Sequence, residues 1–102
     1  MLTHIVLYRL KPTATAEQIG HLLDQARAQL PRVPGVCNLR VGRSTNRDDP
    51  FQYALVMDFE GRGGLEVYRV HPIHVQFVEQ VVKPLVDEVQ RLDYTDEAGS
   101  DD

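Results

Sequence analysis

The side chains best suited to acid–base chemistry are concentrated in one short run, Tyr68-x-x-His71-Pro72-x-His74. His74 shares the apolar face of a predicted helix, and an imidazole buried among apolar side chains stays neutral and can accept a proton near pH 7. Tyr68 shares the inner side of the preceding helix with Leu65, and a buried phenol needs a polar partner. The run therefore predicts either a proton-transferring pair or two groups that only satisfy each other in a closed core.

A third candidate, His4, lies on the first predicted strand and can face the same space. Two or three polar groups that converge in an apolar cleft are the usual sign of a small-molecule site. His71, directly before Pro72, is expected to start a helix, and we also count it among the ligand-binding candidates. His21 lies off the apolar stripe of its helix and is expected at the solvated surface.

Other kinds of site receive less support from the sequence. His71 and His74 are three residues apart, but a metal needs three or four ligands and no further ligand stands nearby at suitable spacing, so we expect no metal. The segment 61–64 resembles an anion cradle at a helix start, yet it lacks the spacing of nucleotide-binding loops and predicts a flexible turn and no cofactor. Cys37 is expected to be a small packed residue rather than a nucleophile.

The totals indicate one domain. The chain has 102 residues with 11 Lys plus Arg, 15 Asp plus Glu and a net charge of −4, which fits a single domain. Residues 93–102 hold five acids and no bases, and we predict a domain over 1–94 and an acidic disordered tail over 95–102.

Composition also predicts partners and location. The arginines are scattered, without the basic stripe of a nucleic-acid-binding surface. The N-terminus has neither a basic segment before its short apolar run nor the length of a membrane span, and the single cysteine excludes an intrachain disulfide and fits a reducing compartment. We therefore expect a cytoplasmic protein without nucleic-acid or membrane partners.

Hydrophobic periodicity and breaker residues predict seven elements in the order β-α-β-β-α-α-β. Thr15 and Gln18 form the capping box of the first helix, whose apolar residues recur at helical spacing until Pro31. The predicted strands cover residues 3–10, 36–43, 51–59 and 86–94, and the later helices cover 65–70 and 72–84.

This order is that of a ferredoxin-like α+β fold, in which a four-stranded antiparallel sheet carries its helices on one face. The other face would leave apolar side chains in water. Pairing with a second copy through this open sheet face is the simplest way to cover them, so we expect a homodimer.

Several segments together carry a family resemblance. They are residues 3–12, Pro34-Gly35-Val36, Gly42-Arg43, the strand at 53–59, the Tyr68-to-His74 run, 82–86 and Leu92-Asp93-Tyr94. The chain resembles the stress-responsive dimeric α+β barrel family, which implies a ferredoxin-like protomer whose sheet pairs with a second copy to form a barrel.

The resemblance also implies roles for residues. Some members of the family cyclise polyketide chains without cofactors, and by motif position their base falls on His74, their tyrosine on Tyr68 and their strand-one histidine on His4. Their remaining pocket histidine falls on Tyr53, which can hydrogen-bond a ligand but is a poor base because the pKa of a phenol is about 10. Tyr53 is therefore counted as a ligand-binding candidate.

Two functions follow as expectations. The first is a dimeric barrel that binds an apolar or carbonyl-containing small molecule between sheet and helices, either with cofactor-free acid–base catalysis of the cyclase or isomerase type or as a binding protein without chemistry. The second is a non-catalytic stress-response barrel without a small-molecule site.

Overall fold

The computed structural model describes residues 1–96. Four strands, β1 (Leu2–Leu10), β2 (Cys37–Arg43), β3 (Tyr53–Phe59) and β4 (Val86–Thr95), form one sheet in the order β2-β3-β1-β4. Each neighbouring pair is antiparallel, which confirms the predicted ferredoxin-like fold. Thr95 ends β4, and the rest of the predicted acidic tail lies outside the described residues apart from Asp96.

The helices lie between these strands in the chain. Helix α1 spans Ala16–Gln29 and leads into a 3-10 turn at Leu30–Arg32, while α2 spans Arg62–Val70 and α3 spans Pro72–Phe77. A π-helical turn at Val78–Val82 extends α3 toward β4. The predicted capping box of α1 is present, with Thr15 Oγ1 accepting from the Gln18 amide at 3.1 Å and Gln18 Oε1 accepting from the Thr15 amide at 2.9 Å.

Helix α2 begins at Arg62, so the prediction of a flexible turn over the glycine-rich segment was wrong. Gly64 allows the first turn of the helix to lie close to the end of β3. A Cβ atom on Gly64 would lie 3.3 Å from Phe59 Cδ1, a tight contact that glycine avoids. Helix propensity alone disfavours glycine in a helix, and the close packing against β3 outweighs it here.

The core lies between the helices and one face of the sheet. On β1 the buried side chains alternate with partly exposed ones, and β3 shows the same alternation up to Phe59. Among residues 1–96 the buried set is apolar apart from His4 and the hydroxyl groups of its tyrosines: Leu2, Val6, Tyr8, Leu22, Ala26, Leu30, Val33, Leu55, Met57, Phe59, Leu65, Tyr68, Phe77, Val82, Leu85 and Val86.

Within the described residues, the opposite side of the sheet carries no helix. The register places Ile5 between Val56 of β3 and Leu92 of β4, and Leu7 lies opposite Ala54 on the same side. These five residues, all partly exposed, define the open face of the protomer.

Cys37 is exposed, so the expectation that it packs in the interior was wrong. It starts an edge strand whose pairing with β3 is irregular between Cys37 and Arg40. The backbone at Asn38 takes a positive φ of 54°, and this local distortion separates Cys37 from the regular part of β2.

Candidate functional site

His4 is held by a carboxylate at the floor of the helix-covered side. Its Nδ1 lies 2.6 Å from Asp93 Oδ1 on β4, directly across from it in the sheet. An ionised carboxylate only accepts hydrogen bonds, so Nδ1–H of His4 donates and Nε2 is the nitrogen left for other partners. Only 6% of His4 is exposed, and Asp93 thus fixes the orientation of a buried imidazole.

The break between α2 and α3 arises from His71-Pro72. The residue before a proline avoids the helical region, and His71 is extended with φ −66° and ψ 137°. Its Nδ1 accepts a hydrogen bond from the Ile73 amide at 3.1 Å. His71 is therefore the N-cap of α3, as the sequence predicted.

Because His71 caps α3, the carbonyl oxygen of Arg69 is available to His74. In an uninterrupted helix the amide of Ile73 would donate to the carbonyl four residues earlier, which belongs to Arg69. Here the Ile73 amide is taken by His71, and His74 Nδ1 lies 3.1 Å from the Arg69 carbonyl oxygen instead. Because a carbonyl only accepts, Nδ1 of His74 carries the hydrogen and Nε2 of the neutral ring carries the lone pair.

The surroundings of His74 keep its ring neutral. Burial lowers the pKa of His74, and the nearby charges of His4, Arg91 and Arg69 lower it further, while the hydrogen bond to the Arg69 carbonyl opposes this shift. The net direction is downward from the ordinary value of 6.5. His74 therefore presents a neutral, basic Nε2 at neutral pH.

Two buried phenols accompany the two histidines. The Tyr68 ring lies 4.2 Å from the His74 ring, 6.1 Å from the His4 ring and 5.4 Å from the Phe59 ring, measured between centroids. Burial raises the pKa of Tyr68 against the opposing charge of Arg91. For Tyr8, burial and the proximity of Tyr68 raise the pKa, again against Arg91. Both phenols stay protonated at neutral pH and can donate.

Both phenols border the space between sheet and helices, since Tyr8 and Tyr68 both line it. The pKa shifts of their hydroxyls come from burial and from nearby charges. Each hydroxyl can therefore donate a hydrogen bond to a molecule bound in that space.

That space is a cleft of about 390 Å³, within the usual range for small-molecule sites. The sheet, α2, α3 and the π-helical turn all contribute to its wall, and π-helical turns are frequent at functional sites. The lining residues are His4, Val6, Tyr8, Leu65, Tyr68, Arg69, His74, Val78, Val82, Lys83, Val86, Val89, Arg91 and Asp93.

The structure thus brings together three of the five residues singled out in the sequence. His74, Tyr68 and His4 line the cleft, whereas Tyr53 and His71 are not among its lining residues within the described chain. Tyr53 lies opposite Tyr8 in the sheet and packs against the core. Residues 1–96 contain no group of three or more His, Cys, Asp or Glu side chains arranged to hold a metal ion.

The cleft residues Tyr8, Asp93 and Arg91 were not among the site residues predicted from the sequence. Tyr8 lies four residues after His4, and the two-residue period of β1 was a sufficient signal to place both on one face. Asp93 and Arg91 carried a weaker signal, because their place in the cleft depends on the pairing of β1 with β4, in which His4 meets a residue 89 positions away in the sequence.

Within residues 1–96, none of the helices combines the length and the apolar character that a membrane crossing needs.

Known proteins share both sequence and fold with this chain. A curated stress-response A/B barrel domain-containing protein of Arabidopsis thaliana is 27% identical over 96 residues, which cover 92% of this chain and 36% of that protein. The chain therefore spans about a third of the length of that relative.

Two solved structures show the shared fold. A dimeric ferredoxin-like protein of unknown function from Thermobifida fusca is 21% identical, with a TM-score of 0.81 over 91% of this chain and 88% of that chain. The hydroxynitrile lyase of Passiflora edulis is 19% identical, with a TM-score of 0.83 over 97% of this chain and 96% of that chain. The sequence model of the stress responsive A/B barrel domain matches residues 2–96, and the chain belongs to this family.

Proposed function

We propose that the cleft binds a small molecule with an apolar body and a carbonyl group, and that His74 moves a proton next to that carbonyl. The observation that carries this proposal is the hydrogen bond from His74 Nδ1 to the Arg69 carbonyl. It leaves a basic Nε2 on a ring that burial keeps neutral, beside two protonated phenols that line the same cleft.

The reaction step is the reversible formation of an enolate without a cofactor. His74 Nε2 takes a proton from the carbon next to the carbonyl, and the electron pair of the broken C–H bond forms the enolate with its negative charge on oxygen. Tyr68 donates its O–H to that oxygen, and preorganised donors of this kind stabilise the charge that develops in the transition state. Return of the proton from His74 to carbon completes an isomerisation or an exchange.

The remaining cleft groups support this arrangement. Tyr8 offers a second protonated phenol, and Asp93 holds His4 in place with a 2.6 Å hydrogen bond. The aliphatic lining suits the apolar body of the ligand, because burying such a body removes apolar surface from water. One neighbour of similar fold is a hydroxynitrile lyase, so this architecture can carry an enzyme active site.

The working molecule in this proposal is a homodimer. The open face leaves Ile5, Leu7, Ala54, Val56 and Leu92 partly exposed, and pairing with a second copy would remove these apolar side chains from water. The Thermobifida fusca protein of the same fold is dimeric, which supports the proposal.

Exchange of hydrogen for deuterium on a neutral ketone tests the chemistry directly. We expect the protein to accelerate deuterium uptake at the carbons beside the carbonyl of 4-phenylbutan-2-one in D₂O, followed by proton NMR. His74→Asn should reduce the rate to that of buffer, because asparagine can keep the hydrogen bond to the Arg69 carbonyl but cannot act as a base. Tyr68→Phe should slow exchange by about 100-fold, the usual loss for one such donor.

His21→Asn is the matched control, since His21 is exposed on α1, and it should exchange at the wild-type rate. Wild-type exchange no faster than buffer would refute the catalytic proposal. Saturable binding of the ketone without exchange would then leave a non-catalytic binding protein.

A further inference from the structure

The cleft has an excess of positive charge. Arg69 of α2, Lys83 after the π-helical turn and Arg91 of β4 all line it, against a single acidic residue, Asp93. Asp93 is already bound to His4 at 2.6 Å. A cleft of this composition favours an anionic ligand over a neutral one.

Arg91 differs from the other two cations. Lys83 Nζ lies 2.7 Å from Glu79, and Arg69 lies 3.9 Å from Glu66. Among residues 1–96, Arg91 has no carboxylate within 4.0 Å. As far as residues 1–96 are concerned, its guanidinium group is therefore available to a ligand.

The position of Arg91 in the sheet places it beside the groups assigned to catalysis. It lies opposite Val6 in the β1–β4 pairing, and Asp93 follows two residues later on the same face of β4. The charge of Arg91 also acts on Tyr8, Tyr68 and His74, in each case lowering the pKa. A group bound by Arg91 would therefore lie within the same cleft as the base and the phenol.

We propose that Arg91 binds the carboxylate of a keto acid whose ketone lies at His74 and Tyr68. This inference rests on the proposed function, because it assigns an anionic group to the ligand of the same site. The planar guanidinium group matches a carboxylate through two parallel hydrogen bonds. One arginine without a carboxylate partner in residues 1–96 suits a single negative charge, and the aliphatic side chains Val6, Val78, Val82, Val86 and Val89 surround the body of the ligand.

A pair of probes that differ only in charge tests the inference. The first probe is 2-oxo-4-phenylbutanoate and the second is its neutral primary amide, each titrated into the protein by isothermal calorimetry. We expect the wild type to bind the acid about tenfold or more tightly than the amide, as is typical of a hydrogen-bonded charge. Arg91→Gln should remove this preference, and Arg91→Lys should restore it only in part because lysine cannot bind bidentately.

Arg47→Gln is the matched control, since Arg47 is exposed in the loop before β3, and it should keep the wild-type preference. The comparison of acid with amide in the wild type needs no variant and stands even if Arg91→Gln does not fold. Equal binding of the two probes by the wild type, or no detectable binding of either, would overturn the inference.

The outcome can be separated from that of the proposed function. Accelerated exchange on the neutral ketone together with equal binding of acid and amide would overturn the role of Arg91 alone. A preference for the acid that depends on Arg91, without exchange on any ketone, would overturn the catalytic role of His74 and leave the anion site in place.

Discussion

The chemistry assigned to His74 depends on which of its two nitrogens carries the hydrogen. The Arg69 carbonyl settles this for the neutral ring, since it requires a donor at Nδ1. The charged side chains that act on the ring come from three elements, His4 on β1, Arg91 on β4 and Arg69 on α2, and each disfavours a second proton. In the proposed reaction the base is therefore prepared by groups that do not themselves touch the reacting carbon.

The lowered pKa of His74 predicts the pH dependence of exchange. The base must be neutral to accept a proton, so the exchange rate should rise as His74 loses its proton and should level off at higher pH. We expect the midpoint of the rate profile on the neutral ketone to lie below about pH 6.5. A midpoint above this value would show that a different group is the base.

The lowered pKa of His74 also makes the free energy of unfolding depend on pH. The unfolded chain binds a proton at His74 more readily than the folded chain does, because the folded pKa is the lower of the two. The contribution of His74 to the free energy of unfolding is therefore complete above about pH 6.5 and declines as the pH falls through the folded pKa. Chemical denaturation at several pH values should show this decline, and His74→Asn should reduce it.

The sequence predicted well those helices and strands whose pattern is visible within their own residues. Helix α1 shows both its capping box and its apolar stripe in the sequence, and β3 alternates strictly from Tyr53 to Phe59. The start of α2 carried a misleading signal, because one of its glycines, Gly64, serves close contact with Phe59 rather than helix propensity. The π-helical turn at Val78–Val82 has no local signal, since its valines fit an ordinary helical stripe equally well.

The site residues also differ in how far the sequence alone could identify them. His74 and Tyr68 were identifiable because each lies on the inner side of a short helix, and His4 because it lies on an apolar strand. The placement of Asp93 and Arg91 beside them depends on the β1–β4 register, in which His4 is opposite Asp93 and Val6 is opposite Arg91. A register set by tertiary packing is not contained in the periodicity of either strand alone.

The cap at the start of α3 gives a prediction at the element scale. His71→Ala removes the acceptor of the Ile73 amide, and loss of such a cap should lower the free energy of unfolding by about 1 kcal/mol. His71→Asn should retain most of the stability, because asparagine is among the preferred N-cap residues. Urea denaturation monitored by circular dichroism measures both variants.

The alanine variant should also slow exchange on the ketone. With no cap at residue 71, the Ile73 amide can compete for the Arg69 carbonyl that orients His74. Wild-type stability of His71→Ala, or an asparagine variant no more stable than the alanine one, would contradict the capping role.

At the scale of the whole molecule, the two faces of the sheet differ in what covers them. The helix-covered face encloses the core and the cleft, while the open face presents an apolar centre. Polar groups border this centre and satisfy one another within the protomer. Near one end, Asp58 accepts hydrogen bonds from Thr3, Asn38 and Arg40. Near the other end, Arg9 forms ion pairs with Asp87 and Glu88. A partner that covers the open face therefore meets apolar surface at the centre and polar groups that are already paired at its border.

A lysine at the centre of the open face should prevent pairing of two copies. We expect the wild type to show a mass of twice 11.6 kDa by light scattering after size-exclusion chromatography. Ile5→Lys and Val56→Lys should each shift the protein to the monomer mass, because dimer formation would then bury an unpaired charge. Val70→Lys is the matched control, since Val70 is 76% exposed on α2, and it should remain a dimer.

The helix-covered core lies within one protomer, so the lysine variants should keep their circular dichroism spectra. A wild-type monomer, or a dimer that survives both substitutions, would show that the open face is not the interface.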